Sequence, residues 1–473
     1  MKTKHQFNKD LKKRHISFIA LGAVIGTGLF LGSATAIKQA GPSVIFAYLA
    51  IGLVVFLIMR ALGEIALQSP QLGTFSTYAT NFIGPFAGYA AGWSYVFKIA
   101  CVCLADIVAF NTYMAFWYPD VSSWRWTIGL ITVVCAFNIT TVKIYGELEV
   151  YFSIMKVGAI LLMIVGGLTL LLIGLYHEPR SLASAHKLLN LSYWFPHSLL
   201  GFVRCLPIVI YAFGGIEILG ITGPETHDPE TVIPRAINAI PMRIIFFYVM
   251  TMSVLFALYP WQDIGVNGSP FVTICHGLGI PSAANILNII VLVAAASAIN
   301  SDIYGSSRML HSLAKDGHAF KRLHILSSRG TPVYAILIML AIITAGIILN
   351  YFNNNGLFVL MADISAFAAL VGWFIIVLSQ LLMRLKMPKE KYSTLKFPMP
   401  FWPLSSIIAM GTILFVYAVM SYYNKAAFLY GVIWLSYLVL SYNTLKFLKK
   451  RGIFRNLFIN NSENPLNIKK TII

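Results

Sequence analysis

The sequence predicts an all-helical integral membrane protein with twelve transmembrane helices. Of its 473 residues, 58% are apolar and only 11% are charged, whereas an average soluble domain is about 45–50% apolar and about 25% charged. Twelve apolar runs, of about 20 residues each, are separated by short polar segments, and a helix of that length crosses the hydrocarbon core. This composition excludes a soluble enzyme, a nucleic-acid-binding domain and a disordered protein.

The apolar runs are numbered as spans 1 to 12 in chain order. They cover 16–37, 42–64, 83–108, 125–142, 152–175, 198–223, 240–260, 283–309, 333–352, 358–383, 403–423 and 426–447. Basic residues precede span 1, as in a secretory signal peptide, but glycines interrupt it and equally apolar spans follow, so we expect it to be retained. An even number of spans places the tails 1–15 and 448–473 on one side of the membrane.

The formal net charge of +18 arises from an uneven distribution of basic residues between the two faces of the membrane. With both termini on one face, 27 of the 35 Lys and Arg residues lie on that face and five lie on the other. Cytoplasmic loops of membrane proteins carry this excess of Lys and Arg. Both termini are therefore predicted to be cytoplasmic, and no nucleic-acid partner is expected.

Two spans contain glycine clusters near their middles, 22–28 in span 1 and 213–220 in span 6. Each glycine lowers helix stability by about 1 kcal/mol relative to alanine, and a broken turn at membrane depth is tolerated where it lines a cavity. Freed N–H groups there suit a carboxylate, and freed carbonyls suit an ammonium group. Spans 1 and 6 are five spans apart and cross in opposite directions, which predicts an inverted-repeat transporter with its site near the midplane. The alternative is that the glycines allow close helix packing.

Seven ionisable residues fall inside the spans, and each costs about 2.5–3.5 kcal/mol at the membrane centre if unpaired. They are Lys98, Asp106, Lys156, Arg204, Glu217, Asp302 and Asp363. Mutual pairing is plausible for four acids and three bases. A desolvated Lys156 can act as a proton carrier, or its amine can snorkel to the surface. Glu217 follows the break in span 6 and can brace freed N–H groups, contact a substrate ammonium or carry a proton. Lys98, Asp106, Arg204 and Asp363 receive no role.

Sequence motifs favour a carrier over other membrane proteins. The helical HExxH pattern of zinc proteases, the GxSxG elbow and the GxxxxGK[ST] phosphate loop are all absent from the sequence. A channel more naturally has a filter loop or rings of charge. No enzyme activity, cofactor or metal is expected, and a proton gradient is the expected driving force.

Several motifs resemble those of the amino acid–polyamine–organocation superfamily. They are Ile25 to Phe30, Ala40 to Ser43, Met59 to Glu64, Tyr145 to Glu149, Ser297 to Asp302, Arg308 to Leu310 and Ala314 to Gly317. The similarity runs from about residue 10 to about residue 385 and is specific to the bacterial amino acid transporter family of that superfamily. Phe213 to Ile218 and Pro234 to Asn238 look most like the proline-specific permease branch, although carriers of threonine, alanine, aromatic amino acids or 4-aminobutyrate share much of this framework.

This resemblance implies a five-plus-five inverted repeat, with spans 1–5 over 16–175 and spans 6–10 over 198–385. Spans 11 and 12, over 403–447, are then two additional helices. It also implies proton-coupled import of a neutral amino acid across the bacterial cytoplasmic membrane, with proline as the first candidate. A carrier of another amino acid and a proton-independent exchanger remain alternatives. The expected partners are the amino acid, the proton and the lipid bilayer, without an obligatory protein partner.

The resemblance also assigns residues to the site by their positions in the motifs. The expected substrate-binding residues are Val24, Gly26, Thr27, Gly28, Tyr95, Tyr211, Phe213, Gly214 and Glu217. Thr27 and Gly28 would bond the carboxylate, and carbonyls around Val24, Phe213 and Gly214 would hold the amino group. Lys156 matches a lysine that stands where sodium-coupled relatives bind sodium, which favours a role in proton coupling.

Two residues depart from the pattern of the proline branch. Pro224 stands in the turn after span 6, where a small residue is expected. Lys98 stands where an acid is expected. If Lys98 faces the pocket, it weakens the proline assignment.

Overall fold

The computed structural model describes residues 11–22, 25–70, 72–139, 142–177, 191–222, 225–264, 281–350, 356–451 and 458. Most of these residues are helical. The described part of the chain contains no strand, only an isolated parallel bridge between Leu11 and Thr226. The prediction of an all-helical protein is therefore confirmed for these residues.

Helices lie at the predicted spans, with ends that differ by several residues. The continuous ones are Val44–Gln68 for span 2, Pro85–Ala115 for span 3, Ser123–Asn138 for span 4, Val142–His177 for span 5, Pro281–Lys315 for span 8, Val333–Asn350 for span 9, Leu357–Lys386 for span 10, Leu404–Tyr423 for span 11 and Lys425–Lys450 for span 12. Span 7 consists of the successive segments Pro229–Asn238, Ile240–Ile244, Ile245–Met250 and Thr251–Leu258. Short helices at Phe75–Phe82 and Leu191–Trp194 lie between spans.

Within the described residues, eight helices are long and apolar enough to cross a membrane, and a ninth is added if a bent pair in span 6 counts as one. This number is smaller than twelve for three reasons. The second part of span 1 is continuous with span 2 as Gly28–Gln68. Span 4 has only 16 residues, and span 9 is also short, over Val333–Ile348. A multi-pass membrane protein is established, whereas the twelve-span repeat stays a prediction.

The outermost helices expose apolar side chains, as helices in contact with lipid must. Only 17% of the apolar stretch in span 12 and 28% of that in span 5 is buried in the protein. Leu440 and Leu162 are 67% and 71% exposed. Span 3 instead packs in the interior against both span 8 and span 10, and these three spans form the scaffold on which the interrupted helices rest.

Spans 1 and 6 are the interrupted helices, as their glycine clusters predict. Span 1 consists of Lys13–Gly22, a π-helical turn at Gly28–Gly32 and Ser33–Ala40. Span 6 consists of Ser198–Arg204, Leu206–Ala212 and Ile218–Ile221. Its first two segments meet at 74°, where Pro207 stands in the first turn of the new helix and needs no N–H partner there.

A buried ionic cluster joins span 2, span 10 and the segment that leads into span 11. The Glu64 carboxylate accepts hydrogen bonds from Arg384 Nε at 2.5 Å and Nη2 at 2.9 Å. It also accepts from Gln380 Nε2 at 3.2 Å and from the backbone N–H of Met399 at 2.6 Å. Glu64 is only 1% exposed, so these four bonds replace its hydration.

Candidate functional site

The breaks in spans 1 and 6 lie against each other. A β-carbon on Gly28 would stand 2.5 Å from the α-carbon of Ala212 and 3.2 Å from its amide nitrogen. Because real β-carbons do not approach backbone atoms so closely, only glycine permits this contact. The close-packing explanation therefore applies to Gly28. It does not apply to Gly26, where a β-carbon would meet no atom within 4 Å.

A cavity of about 50 Å³ opens where the two breaks meet. By the same measure one water needs about 10–15 Å³, so the space suits a solute of only a few heavy atoms. Seven residues expected at the site line it: Gly26, Thr27, Gly28, Tyr95, Tyr211, Gly214 and Lys156. The cavity lies at the interrupted turns, where backbone groups are released from helical hydrogen bonding.

Two other expected residues, Phe213 and Glu217, do not line the cavity. The Phe213 ring is fully buried and packs against Tyr248, with ring centroids 5.0 Å apart, so only its backbone can face the cavity. Glu217 does not line this cavity but lies behind it, against Lys98. Val24 lies outside the described residues. So does Pro224, which departs from the pattern of the proline branch.

A buried polar cluster fixes Thr27 in the cavity wall. The Thr27 hydroxyl donates to the Asp106 carboxylate from span 3 and shares a hydrogen bond of 2.9 Å with the Tyr211 hydroxyl from span 6. Tyr211 also donates to the same carboxylate oxygen of Asp106 at 3.3 Å. The other oxygen, Oδ2, is buried and has no hydrogen-bond partner in the described part of the chain. The cluster ties both broken helices to the scaffold.

A second polar contact joins span 3 to the interrupted segment of span 6. The Lys98 ammonium forms an ion pair with Glu217, and the two side chains are 2% and 3% exposed. The other carboxylate oxygen of Glu217 accepts the backbone N–H of Gly215 at 3.2 Å. Glu217 thus braces a freed N–H group, one of the three roles considered for it.

Lys156 lies at the other break. Its side chain is 1% exposed, and its Nζ donates to the carbonyl of Gly22, the last residue of the first half of span 1, at 3.3 Å. Carbonyls at a helix C-terminus lack intrahelical partners and carry partial negative charge, so they favour a nearby cation. The amine therefore points into the protein, and the snorkelling alternative does not describe its position.

Sequence reasoning missed several residues of the cavity. The sequence alone assigns Lys98 and Asp106 no role, although they line the cavity together with Val102 from span 3. Span 8 adds Ala298, Ser301 and Asp302. A usable signal was present in the sequence: Lys98, Val102 and Asp106 follow Tyr95 at three, seven and eleven positions, which places all four on one helix face.

Two further ionisable residues in the spans, Asp363 and Arg204, have neutral partners. Asp363 accepts a hydrogen bond of 2.6 Å from Asn424 Nδ2, and the Arg204 guanidinium lies 4.6 Å from the Tyr423 ring. Among the seven, the base Lys98 and the acid Glu217 form an ion pair within the described residues. Within the part of the chain that the structure describes, the expectation of mutual pairing therefore holds for one pair.

The arrangement offers complementary groups for a zwitterion. The turn at Thr27 and Gly28 begins the second half of span 1, and N–H groups at a helix start favour an anion. The carbonyls released at the break in span 6 favour a cation. The described residues contain no group of His, Cys, Asp and Glu side chains that could hold a metal ion. Binding a small dipolar molecule is thus the chemistry that these residues support.

Comparison with known proteins gives the same class of molecule. The chain is 41% identical over 453 residues to an uncharacterized amino acid permease, YtnA, of Bacillus subtilis, covering 95% of this chain and 98% of that protein. It is 39% identical over 410 residues to a D-serine/D-alanine/glycine transporter of Escherichia coli K12, covering 86% and 87%. It is 40% identical over 405 residues to the aromatic amino acid transport protein AroP of Escherichia coli CFT073, covering 86% and 88%.

These relatives are transporters rather than enzymes, and none of the three is named for proline. The amino acid permease family matches residues 15–457, which include every residue that lines the cavity. The chain therefore belongs to the amino acid permease family.

Proposed function

We propose that the protein imports a small neutral amino acid by alternating access, driven by a proton gradient across the bacterial cytoplasmic membrane. The observation that carries this proposal is the cavity of about 50 Å³ at the meeting point of the two helix breaks. The proposal includes twelve spans in a five-plus-five inverted repeat and cytoplasmic termini, as the sequence predicts. During transport, the broken helices rock against spans 3, 8 and 10.

In this proposal the substrate zwitterion bridges the two breaks. Its carboxylate accepts hydrogen bonds from the N–H groups around Gly28, where the helix dipole is positive. It also accepts one from the Thr27 hydroxyl, whose single proton turns from Asp106 to the substrate on binding. Its ammonium group lies against the carbonyls around Phe213 and Gly214. Protonation of Lys156 determines whether its amine stays on the Gly22 carbonyl, and so which access state is favoured.

The small cavity favours a substrate with a short side chain. Proline, the candidate from the sequence resemblance, belongs to this size class. So do serine, alanine and glycine, the amino acids in the name of one relative. The aromatic substrates of another named relative need more space than the present cavity provides. We therefore propose a small neutral amino acid as the substrate. A competition assay ranks the members of this class.

The experiment is uptake of labelled amino acids into proteoliposomes with an imposed inward proton gradient. Each label is competed with a panel of unlabelled amino acids, proline included. We expect at least one small neutral amino acid to accumulate, and an uncoupler to abolish its accumulation. Exchange that ignores the proton gradient would contradict proton coupling, and preferential uptake of an aromatic amino acid would contradict the size class.

Replacing Thr27 by valine tests the carboxylate site. Valine keeps the shape but removes the hydroxyl that bonds Asp106 and Tyr211. Hydrogen bonds to charged groups are worth about 1.5–3 kcal/mol, so we expect KM for uptake to rise about tenfold or more. Thr27→Ser keeps a hydroxyl and should stay close to the unmodified protein. An unchanged KM in the valine variant would exclude Thr27 from the site.

A further inference from the structure

The Lys98–Glu217 ion pair lies on the boundary between the substrate cavity and a second space. Lys98 lines both cavities, whereas Glu217 lines only the second. The second cavity, of about 10 Å³, has room for one water molecule at most. Its other walls are mostly apolar and include Trp373 and Gly372, and a β-carbon on Gly372 would meet no atom within 4 Å. The ion pair therefore forms a polar partition between the substrate cavity and this second, mostly apolar cavity.

The ammonium of Lys98 is close to where the substrate is proposed to lie. Its Nζ is 3.9 Å from the point at which a β-carbon on Gly214 would stand. An ammonium group has three N–H donors, and Glu217 takes one. Among the described residues, no other hydrogen-bond acceptor is recorded for Nζ, and its remaining donors border the cavity.

In the proposed pose, the substrate's side chain contacts the cavity wall that Lys98 and its neighbours on span 3 form. With the carboxylate at the break in span 1 and the ammonium at the break in span 6, the side chain projects towards the scaffold. On span 3 it meets Tyr95, Lys98 and Val102. A methyl group placed against Lys98 would cover N–H donors without pairing them, and an unpaired buried donor is costly.

We propose that Lys98 determines the side-chain specificity of this carrier. Its ammonium, neutralised by Glu217, limits the length of the substrate's side chain and selects one that ends in a neutral hydrogen-bond acceptor, such as the hydroxyl of serine. This inference rests on the proposed function. It ranks serine above proline and above apolar amino acids of equal size. It also ranks serine above aspartate, because Glu217 repels a second carboxylate.

The first test uses the unmodified protein in proteoliposomes and needs no variant to fold. The label is whichever amino acid accumulates in the uptake experiment above. Its uptake is competed with both enantiomers of serine, of 2-aminobutyrate and of aspartate. 2-Aminobutyrate has a methyl group in place of the serine hydroxyl. We expect serine to inhibit at a concentration about tenfold lower than 2-aminobutyrate does. Equal inhibition, or stronger inhibition by aspartate, would overturn the role of Lys98 while leaving amino acid import intact. If no amino acid accumulates, the proposed function fails as well.

The second test removes both charges together in Lys98→Met with Glu217→Gln, since a lone Glu217 would be a buried unpaired charge. We expect the roughly tenfold advantage of serine to disappear, and valine to begin to inhibit uptake because the partition no longer repels apolar groups. The control is Val102→Ala, which enlarges the same wall without touching the ammonium and should keep the preference for serine. An unchanged preference in the double variant would overturn the proposal, and if that variant is not produced, the comparison in the unmodified protein decides.

Discussion

Replacing Lys156 by alanine is expected to abolish amino acid accumulation driven by a proton gradient. The Lys156 ammonium is buried and donates to the carbonyl of Gly22, at the end of the first half of span 1. Alanine carries no proton and leaves this carbonyl without its donor. In the proposed mechanism, the interrupted helix then loses the contact through which a proton selects the access state.

Two assays on the same liposomes separate coupling from binding. One measures accumulation under an imposed proton gradient, and the other measures counterflow with substrate on both sides and no gradient. We expect the alanine variant to lose accumulation and to retain counterflow, because Thr27 and Gly28 are unchanged. Lys156→Met repeats the test with a side chain of similar length and no charge.

The matched control is Lys143→Ala, which removes an exposed lysine from the same helix. It should leave both assays unchanged. Undiminished accumulation in Lys156→Ala would remove Lys156 from the coupling mechanism.

Replacing Arg384 by leucine is expected to destabilise the protein more than any other single change considered. Arg384 supplies two of the four hydrogen bonds to the buried Glu64 carboxylate. Removing one partner of a buried ion pair leaves an uncompensated charge and costs about 3–5 kcal/mol. Leucine keeps the apolar part of the side chain nearest the backbone, so most of the expected loss reflects the unpaired charge.

Thermal unfolding in detergent measures this loss as a lower Tm. Lys386→Leu is the control, because Lys386 is exposed on the same helix and, among the described residues, donates to the carbonyl of Phe82 rather than to a carboxylate. The double variant Arg384→Leu with Glu64→Leu removes both charges and should recover much of the stability. If the single Arg384 variant had the same Tm as the Lys386 control, the ionic cluster would not hold spans 2 and 10 together.

Composition and local pattern were enough to predict a multi-pass helical membrane protein and the interruptions in spans 1 and 6. The apolar runs give helices because the membrane interior offers backbone groups no other partner. The glycines of 22–28 and 213–220 weaken helix locally, so the interruptions were foreseeable from two short segments. The periodicity along span 3 from Tyr95 to Asp106 was visible too, but it carries no information about which helix that face meets.

The sequence by itself determined an all-helical membrane protein with two helix breaks, and its motifs pointed to amino acid transport. Only the tertiary structure decided that Lys98 pairs with Glu217, that Asp106 holds Thr27 and that Lys156 points inwards to Gly22. Helix formation depends on hydrogen bonds between residues four positions apart, which the local sequence specifies. These three contacts join residues 119, 79 and 134 positions apart. They depend on how spans 1, 3, 5 and 6 pack in three dimensions, and the local sequence pattern does not specify that packing.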